Sequence, residues 1–225
     1  METDGRRVKR LKSDYSDTIT VLAGTEERSF TVHKDNVCAR SRFFRAGCSK
    51  DWKEGKDKIF RIPDHQADCF LVYAHYMYTR EMDMSLMVEL PAEPGSVVVP
   101  PSFRNLSKVW ALADYLGDDG LCNRLIDRAL EKFDAEPKTF PAAGVLQQLW
   151  DTTPSGSAIQ RLYLDVTVAR IGPIAFEANI EQIPVDIVRA MARRFVRSAS
   201  RLGNGPTRHD RCKYHVHNDK SGKCA

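Results

Sequence analysis

Ser16-Asp17-Thr18-Ile19-Thr20-Val21, Phe30-Thr31-Val32-His33-Lys34, Ala39-Arg40-Ser41-Arg42-Phe43-Phe44 and Tyr76-Met77-Tyr78-Thr79 follow one another within residues 16–81, and their reading decides the fold. Thr18 to Leu22 alternates, with Ile19 and Val21 on one face, and Phe30 and Val32 do the same after a turn at Ala23-Gly24-Thr25, which predicts two short strands. From Asp35 the spacing turns helical through Val37, Arg40 and Ser41 and reaches the bulky Phe43-Phe44 pair, where the segment must bury itself. Ile59-Phe60-Arg61-Ile62 alternates again and stops at Pro63-Asp64, a pair that ends strands and opens helices. Asp68 to Tyr78 carries Phe70, Leu71, Tyr73, Ala74, Met77 and Tyr78, too apolar for a surface helix.

In this order the residues closely resemble a BTB/POZ domain. That family opens on an Asp before its first strand, matched by Asp17. Its Phe-x-Val-His-Lys run is matched by Phe30, Val32, His33 and Lys34, its Ala-Arg-Ser-x-Phe-Phe by Ala39 through Phe44, and the Tyr-Thr that closes its fourth helix by Tyr78 and Thr79. Two positions depart. Val37 stands where the family usually has Leu, and Arg80 where it usually has Gly, which implies a different turn after Thr79. The resemblance implies an α/β (α+β) fold, a small sheet flanked by a helical cluster.

At 225 residues the chain holds one large domain, or one domain with a dependent appendage, and its 42% hydrophobic content suffices for a real core. No apolar run approaches the roughly 18–20 residues of a membrane span. The basic N-terminus, with no apolar stretch behind it, does not read as a secretory signal. The six cysteines (38, 48, 69, 122, 212 and 224) are then expected as reduced thiols of an intracellular protein, cytoplasmic or nuclear. Charge is uneven: about +3 over residues 1–12 and about +8 over 189–225 leave the middle near −7. Such basic ends read either as a nuclear import signal and a nucleic-acid contact or as solubilising termini.

Residues 1–14 are expected to be a disordered basic N-terminus. The BTB-like domain should span 15–135, with a loop insertion over 82–101 whose Glu89-Leu90-Pro91-Ala92-Glu93-Pro94-Gly95-Ser96 is loop by composition. Beyond it Ser102 is a good N-cap for a helix ending near Gly117, and Asp118 or Asp119 opens the next. A helical extension follows over 136–202: a piece from Ala142 to Trp150, a helix capped by Ser157 and stopped by Gly172-Pro173, and another from Val185 to about Arg201. Residues 203–225 form a basic tail containing Cys and His.

For catalysis the sequence offers no nucleophile elbow, no phosphate-binding glycine loop and no helix bearing paired metal-binding histidines, so an enzyme is not expected. His33, between apolar neighbours, reads as a hydrogen-bonded structural residue. The resemblance implies that Asp17 and Lys34 lie together in a groove at a dimer interface. Val37, Phe43 and Phe44 then contribute to that interface or to the core beneath it. In cullin-binding members of the family a hydrophobic-x-Glu motif occupies the place of Trp52-Lys53-Glu54; Trp52 and Glu54 match it by type and position. The alternative is that Trp52 folds back on the core. In the tail, Cys212, His215, His217 and Cys224 supply the ligand types and number of a structural zinc site, the alternative being an unstructured basic tail with two thiols.

What the resemblance implies is protein–protein interaction: a homodimer that presents an unknown protein substrate, as an adaptor on a cullin-type ubiquitin ligase scaffold. The rival is a nuclear regulatory protein whose basic tail contacts nucleic acid or chromatin.

Overall fold

The computed structural model describes residues 16–49, 53–87, 102–198 and 211–216. Strands β1 (Thr18–Ala23) and β2 (Arg28–His33) form an antiparallel hairpin, with Ile19 opposite Val32 and Val21 opposite Phe30. The turn between them uses Gly24 and Glu27 at positive φ. Helices α1 (Lys34–Arg40), α2 (Arg42–Ser49) and α3 (Lys53–Asp57) lead to β3 (Ile59–Ile62), which returns parallel to β1 with Val21 beside Phe60. The strand order β2-β1-β3 puts β1 in the middle. Its alternation therefore sends Ile19, Val21 and Ala23 into the core, each at most 2% exposed.

Helix α4 (Ala67–Thr79) buries Cys69, Phe70, Val72, Tyr73, Tyr76 and Met77, the face that its composition demanded. It starts from Gln66, so Pro63 and Asp64 lie in the preceding turn. The turn after it keeps a left-handed geometry without glycine. Arg80 takes φ 65° and donates its N–H to Tyr76 O, while Thr79 Oγ1 donates to His75 O at 2.8 Å and accepts from Glu81 N at 3.0 Å. The start of the loop expected over 82–101 is packed against the domain. Met84 and Met87 are buried around a short 3₁₀ turn (Met84–Leu86) that Asp83 caps through Ser85 N. The rest of that expected loop lies outside the described residues.

Helices α5 (Phe103–Leu116) and α6 (Asp119–Ala135) form an antiparallel-type pair around a tight corner. Ser102 caps α5 by accepting from Asn105 N, Gly117 ends it at φ 67°, and Asp118 caps α6 by accepting from Leu121 N at 3.0 Å. Helices α7 (Ala143–Thr152) and α8 (Ala158–Arg170) pack on this pair. Phe103 stacks on Phe133 at 4.3 Å, both rings meet Tyr163, and Tyr163 OH donates to Phe103 O. The hydrophobic core therefore runs on past residue 135, through α7 and α8. Arg170 Nη1 donates to the carbonyls of Phe133, Glu136 and Thr139, closing the C-terminal end of α6.

Two local expectations are corrected. Ser157 occupies the N-cap of α8, but its hydroxyl accepts no helix N–H. Gln160 instead reaches back to accept from Gly156 N and donates to Thr153 Oγ1. Gly172-Pro173 does not merely stop α8: Pro173 is the first residue of α9 (Pro173–Asn179), where a missing N–H costs nothing. Helix α10 (Val185–Ser198) lies against α8, burying Ile187 and Met191.

Candidate protein-interaction surface

The hairpin places Asp17 immediately before β1 and Lys34 immediately after β2, so pairing the strands brings them together. Lys34 N donates to Asp17 O at 2.9 Å and its Nζ lies 3.3 Å from Asp17 Oδ2. A third member, Lys58 in the turn before β3, reaches Asp17 Oδ1 at 2.8 Å. The Lys58 ammonium, with Lys34 behind it, holds the Asp17 carboxyl below the usual range, and Asp17 in turn raises Lys34. Sequence reasoning missed Lys58 because the pairing depends on the parallel return of β3, forty-one positions away. His33 joins the strands to the end of α4: its N–H donates to Tyr78 OH at 3.0 Å and its Nδ1 lies 2.8 Å from the same oxygen.

Ala39 through Phe44 docks α1 and α2 on the α5–α6 corner. Ser41, fully buried, donates from Oγ to Leu116 O at 2.6 Å and accepts from Phe44 N. Arg40 donates to both oxygens of Asp118 and lies over the Tyr76 ring at 4.7 Å. Burial lowers the basicity of Arg40, but Asp118 outweighs it and raises the guanidinium above its ordinary value. Arg42 makes a two-pronged pair with Asp119 at 2.6 and 2.9 Å. Gly117 is required here: a Cβ on it would sit 2.9 Å from Arg42 Nε.

Of the apolar residues expected at an interface, Val37 and Phe44 have no exposed surface and belong to the core of the chain itself. Buried side chains of this kind cannot touch a partner directly; they hold up the α1–α2 surface from beneath. Phe43 is only half-buried and meets Tyr115, itself 48% exposed, at 5.1 Å.

Phe43 and Tyr115 belong to an open pocket of about 320 Å³ between α2, α3, β3 and α5, with Ala46, Ile59 and Phe60 supplying apolar wall. Glu54, exposed in the first turn of α3, lines its edge together with Arg61. Trp52 lies outside the described residues. An apolar recess with a carboxylate and a guanidinium on its rim can take an apolar side chain and fix the polar groups beside it.

Residues 211–216 of the tail dock on the helices, which no local pattern signals. A turn of helix, α11 (Arg211–Tyr214), sits against α6 and α8. Tyr214 is completely buried, and its hydroxyl donates to Asp165 Oδ2 at 2.7 Å. Asp165, on α8, also accepts from Arg194 of α10 and from Lys213 Nζ. Burial alone would raise the Asp165 carboxyl, but these three donors outweigh it and hold it below its ordinary value. His215 Nε2 lies 3.0 Å from Asp127 Oδ1. Of the four residues expected to hold zinc, Cys212 is exposed and His215 is engaged with Asp127, while His217 and Cys224 lie outside the described residues. Among the described residues, no three His, Cys, Asp or Glu side chains are grouped to hold a metal. Likewise, no helix among them is long and apolar enough to cross a membrane.

The family model for the BTB/POZ domain matches residues 8–124, slightly more than half of the chain. The match takes in the hairpin, the Ala39–Phe44 motif, β3, α4 and the α5–α6 corner, the elements that carry the pocket and the ion pairs of Asp17, Arg40 and Arg42. The chain therefore belongs to the BTB/POZ domain family, whose members are protein-interaction modules rather than enzymes.

Proposed function

We propose that the chain is a homodimeric substrate adaptor that docks on a cullin-type scaffold through Trp52, Glu54 and the neighbouring pocket. The observation that carries the reading is the place of Glu54: exposed on α3, at the edge of an apolar recess walled by Phe43, Ile59, Phe60 and Tyr115. Trp52 precedes it by two residues, in the hydrophobic-x-Glu order of cullin-binding members. An aromatic anchor beside a polar rim concentrates binding energy in few residues. Homodimerisation would use the Asp17–Lys34–Lys58 cluster and the α1–α2 surface, where partly exposed charges fix specificity more than they add affinity.

The test is a pull-down of the full chain with a cullin scaffold, run beside Trp52→Ala and Glu54→Ala, with gel filtration reading the oligomeric state. Binding by the wild type that both substitutions abolish, at unchanged helical content, is expected. A wild-type chain that does not bind the scaffold overturns the reading.

A further inference from the structure

The docked segment 211–216 has the features of a bound peptide. Its anchor is the fully buried Tyr214 ring, whose hydroxyl reaches the buried carboxylate of Asp165. On the outer side, Lys213 Nζ contacts the same carboxylate at 3.0 Å, and His215 meets Asp127. Between them Asn123 reads the main chain twice: its Nδ2 donates to Val216 O at 3.1 Å and its Oδ1 accepts from Val216 N at 2.7 Å. A side-chain amide that satisfies both polar groups of one residue recognises backbone, whatever side chain that residue carries. Asn123 and Asp127 lie one helical turn apart on α6, so they face the same groove.

The receptor half of this contact belongs to the helical body. Asn123, Asp127 and Asp165 stand on α6 and α8, and Asp165 has a second partner in Arg194 of α10. Removing the segment therefore does not leave Asp165 as a bare buried charge. In the sequence the segment follows the end of α10 at Ser198 by twelve residues.

We propose that the groove between α6 and α8 is a docking site for a partner segment of the order basic residue, tyrosine, imidazole, any residue with a free backbone N–H, and that residues 213–216 fill it as an internal competitor. The tyrosine supplies the anchor, the basic residue and imidazole meet the two carboxylates, and Asn123 fixes the strand of backbone that follows. Because the internal segment belongs to the same chain it competes intramolecularly, so a free segment binds poorly until the internal one is displaced.

The test is titration of the full chain with a fluorescent synthetic peptide, Arg-Ser-Lys-Tyr-His-Val, in which Ser replaces the thiol. The chains compared are wild type, Tyr214→Ala and Lys213→Glu. Both variants loosen the internal segment, the first by removing its anchor and the second by setting a carboxylate beside Asp165. Saturable binding at least about tenfold tighter to the variants than to wild type is expected. Adding Asn123→Ala to either variant should weaken it about tenfold, and a peptide with Phe for Tyr should bind about tenfold more weakly. If Tyr214→Ala does not fold, Lys213→Glu, an exposed substitution, decides. Folded variants that bind the peptide no better than wild type would overturn the proposal and make the segment a permanent strap.

Discussion

Replacing Asp118 by Ala should be strongly destabilising. Asp118 is 3% exposed and does two jobs: it caps α6 through Leu121 N and neutralises Arg40, whose side chain is 14% exposed. Loss of an N-cap costs about 1 kcal/mol. Leaving a buried cation without its partner costs about 3–5 kcal/mol. Arg40 retains the Tyr76 ring at 4.7 Å and some access to water, so the lower part of that range applies and the sum is about 4 kcal/mol. For a chain of this size that corresponds to a fall in Tm of roughly 10 °C. Urea unfolding followed by far-ultraviolet circular dichroism measures it directly. Asp118→Asn, which keeps an oxygen to cap α6 but loses the charge, should cost about half as much. In a double-mutant cycle with Arg40→Ala the two sites should couple by at least about 1 kcal/mol. A loss for Asp118→Ala no larger than about 1 kcal/mol, or a cycle with no coupling, would refute the argument that this pair fastens α1 to the α5–α6 corner.

Two further outcomes follow from the packing and the tail. Gly47→Ala puts a methyl 2.4 Å from Phe60 Cε1 in a ring cluster with Phe43 and Phe44. Overpacking should exceed the gain in helix propensity and leave a net loss of about 1–2 kcal/mol, read from the urea midpoint; an unchanged or stabilised variant contradicts it. Asp165 has a folded-state pKa below its ordinary 3.8, so the unfolded chain takes up the proton first; the stability it contributes is intact above about pH 4 and is lost as pH falls further. Wild type should therefore lose stability faster than Asp165→Asn as pH falls below about 4, and equal slopes would exclude Asp165 as the cause.

The parts of the fold that could be read in the sequence are those whose signal is local. Alternation gives β1 and β2, Ser102 and Gly117 bracket α5, and the dense apolar face of α4 announces its burial. The closeness of Asp17 and Lys34 comes from the family resemblance, and the matched hairpin is its physical reason. The rest depended on tertiary placement. Gly172-Pro173 has the composition of a stop, yet a proline at the first helical position is equally a start, and only the chain beyond it decides. Val37 and Phe44 share helical spacing with surface neighbours, so their burial within the chain could not be separated from burial against a partner. In the tail the thiols and imidazoles are the residue types with known chemistry. Its anchor is a tyrosine, and the matching Asp165 and Asn123 sit 49 and 93 positions from their partners. No spacing rule reaches that far.

The hydrogen bond from Ser41 to Leu116 spans 75 positions, and the Arg40–Asp118 pair spans 78. During synthesis the hairpin, β3 and α4 leave the ribosome well before the helix corner that covers them. At about 5–20 residues per second, the Ala39–Phe44 motif waits roughly 4–15 s with its serine, arginines and phenylalanines uncovered. Folding of this domain is thus a matter of timing as much as of energy: its first half is a surface in search of its second. A chain stopped short of Phe103 would carry the strands and the motif, yet lack the α5–α6 corner that closes them, and would present that surface to holdase chaperones instead.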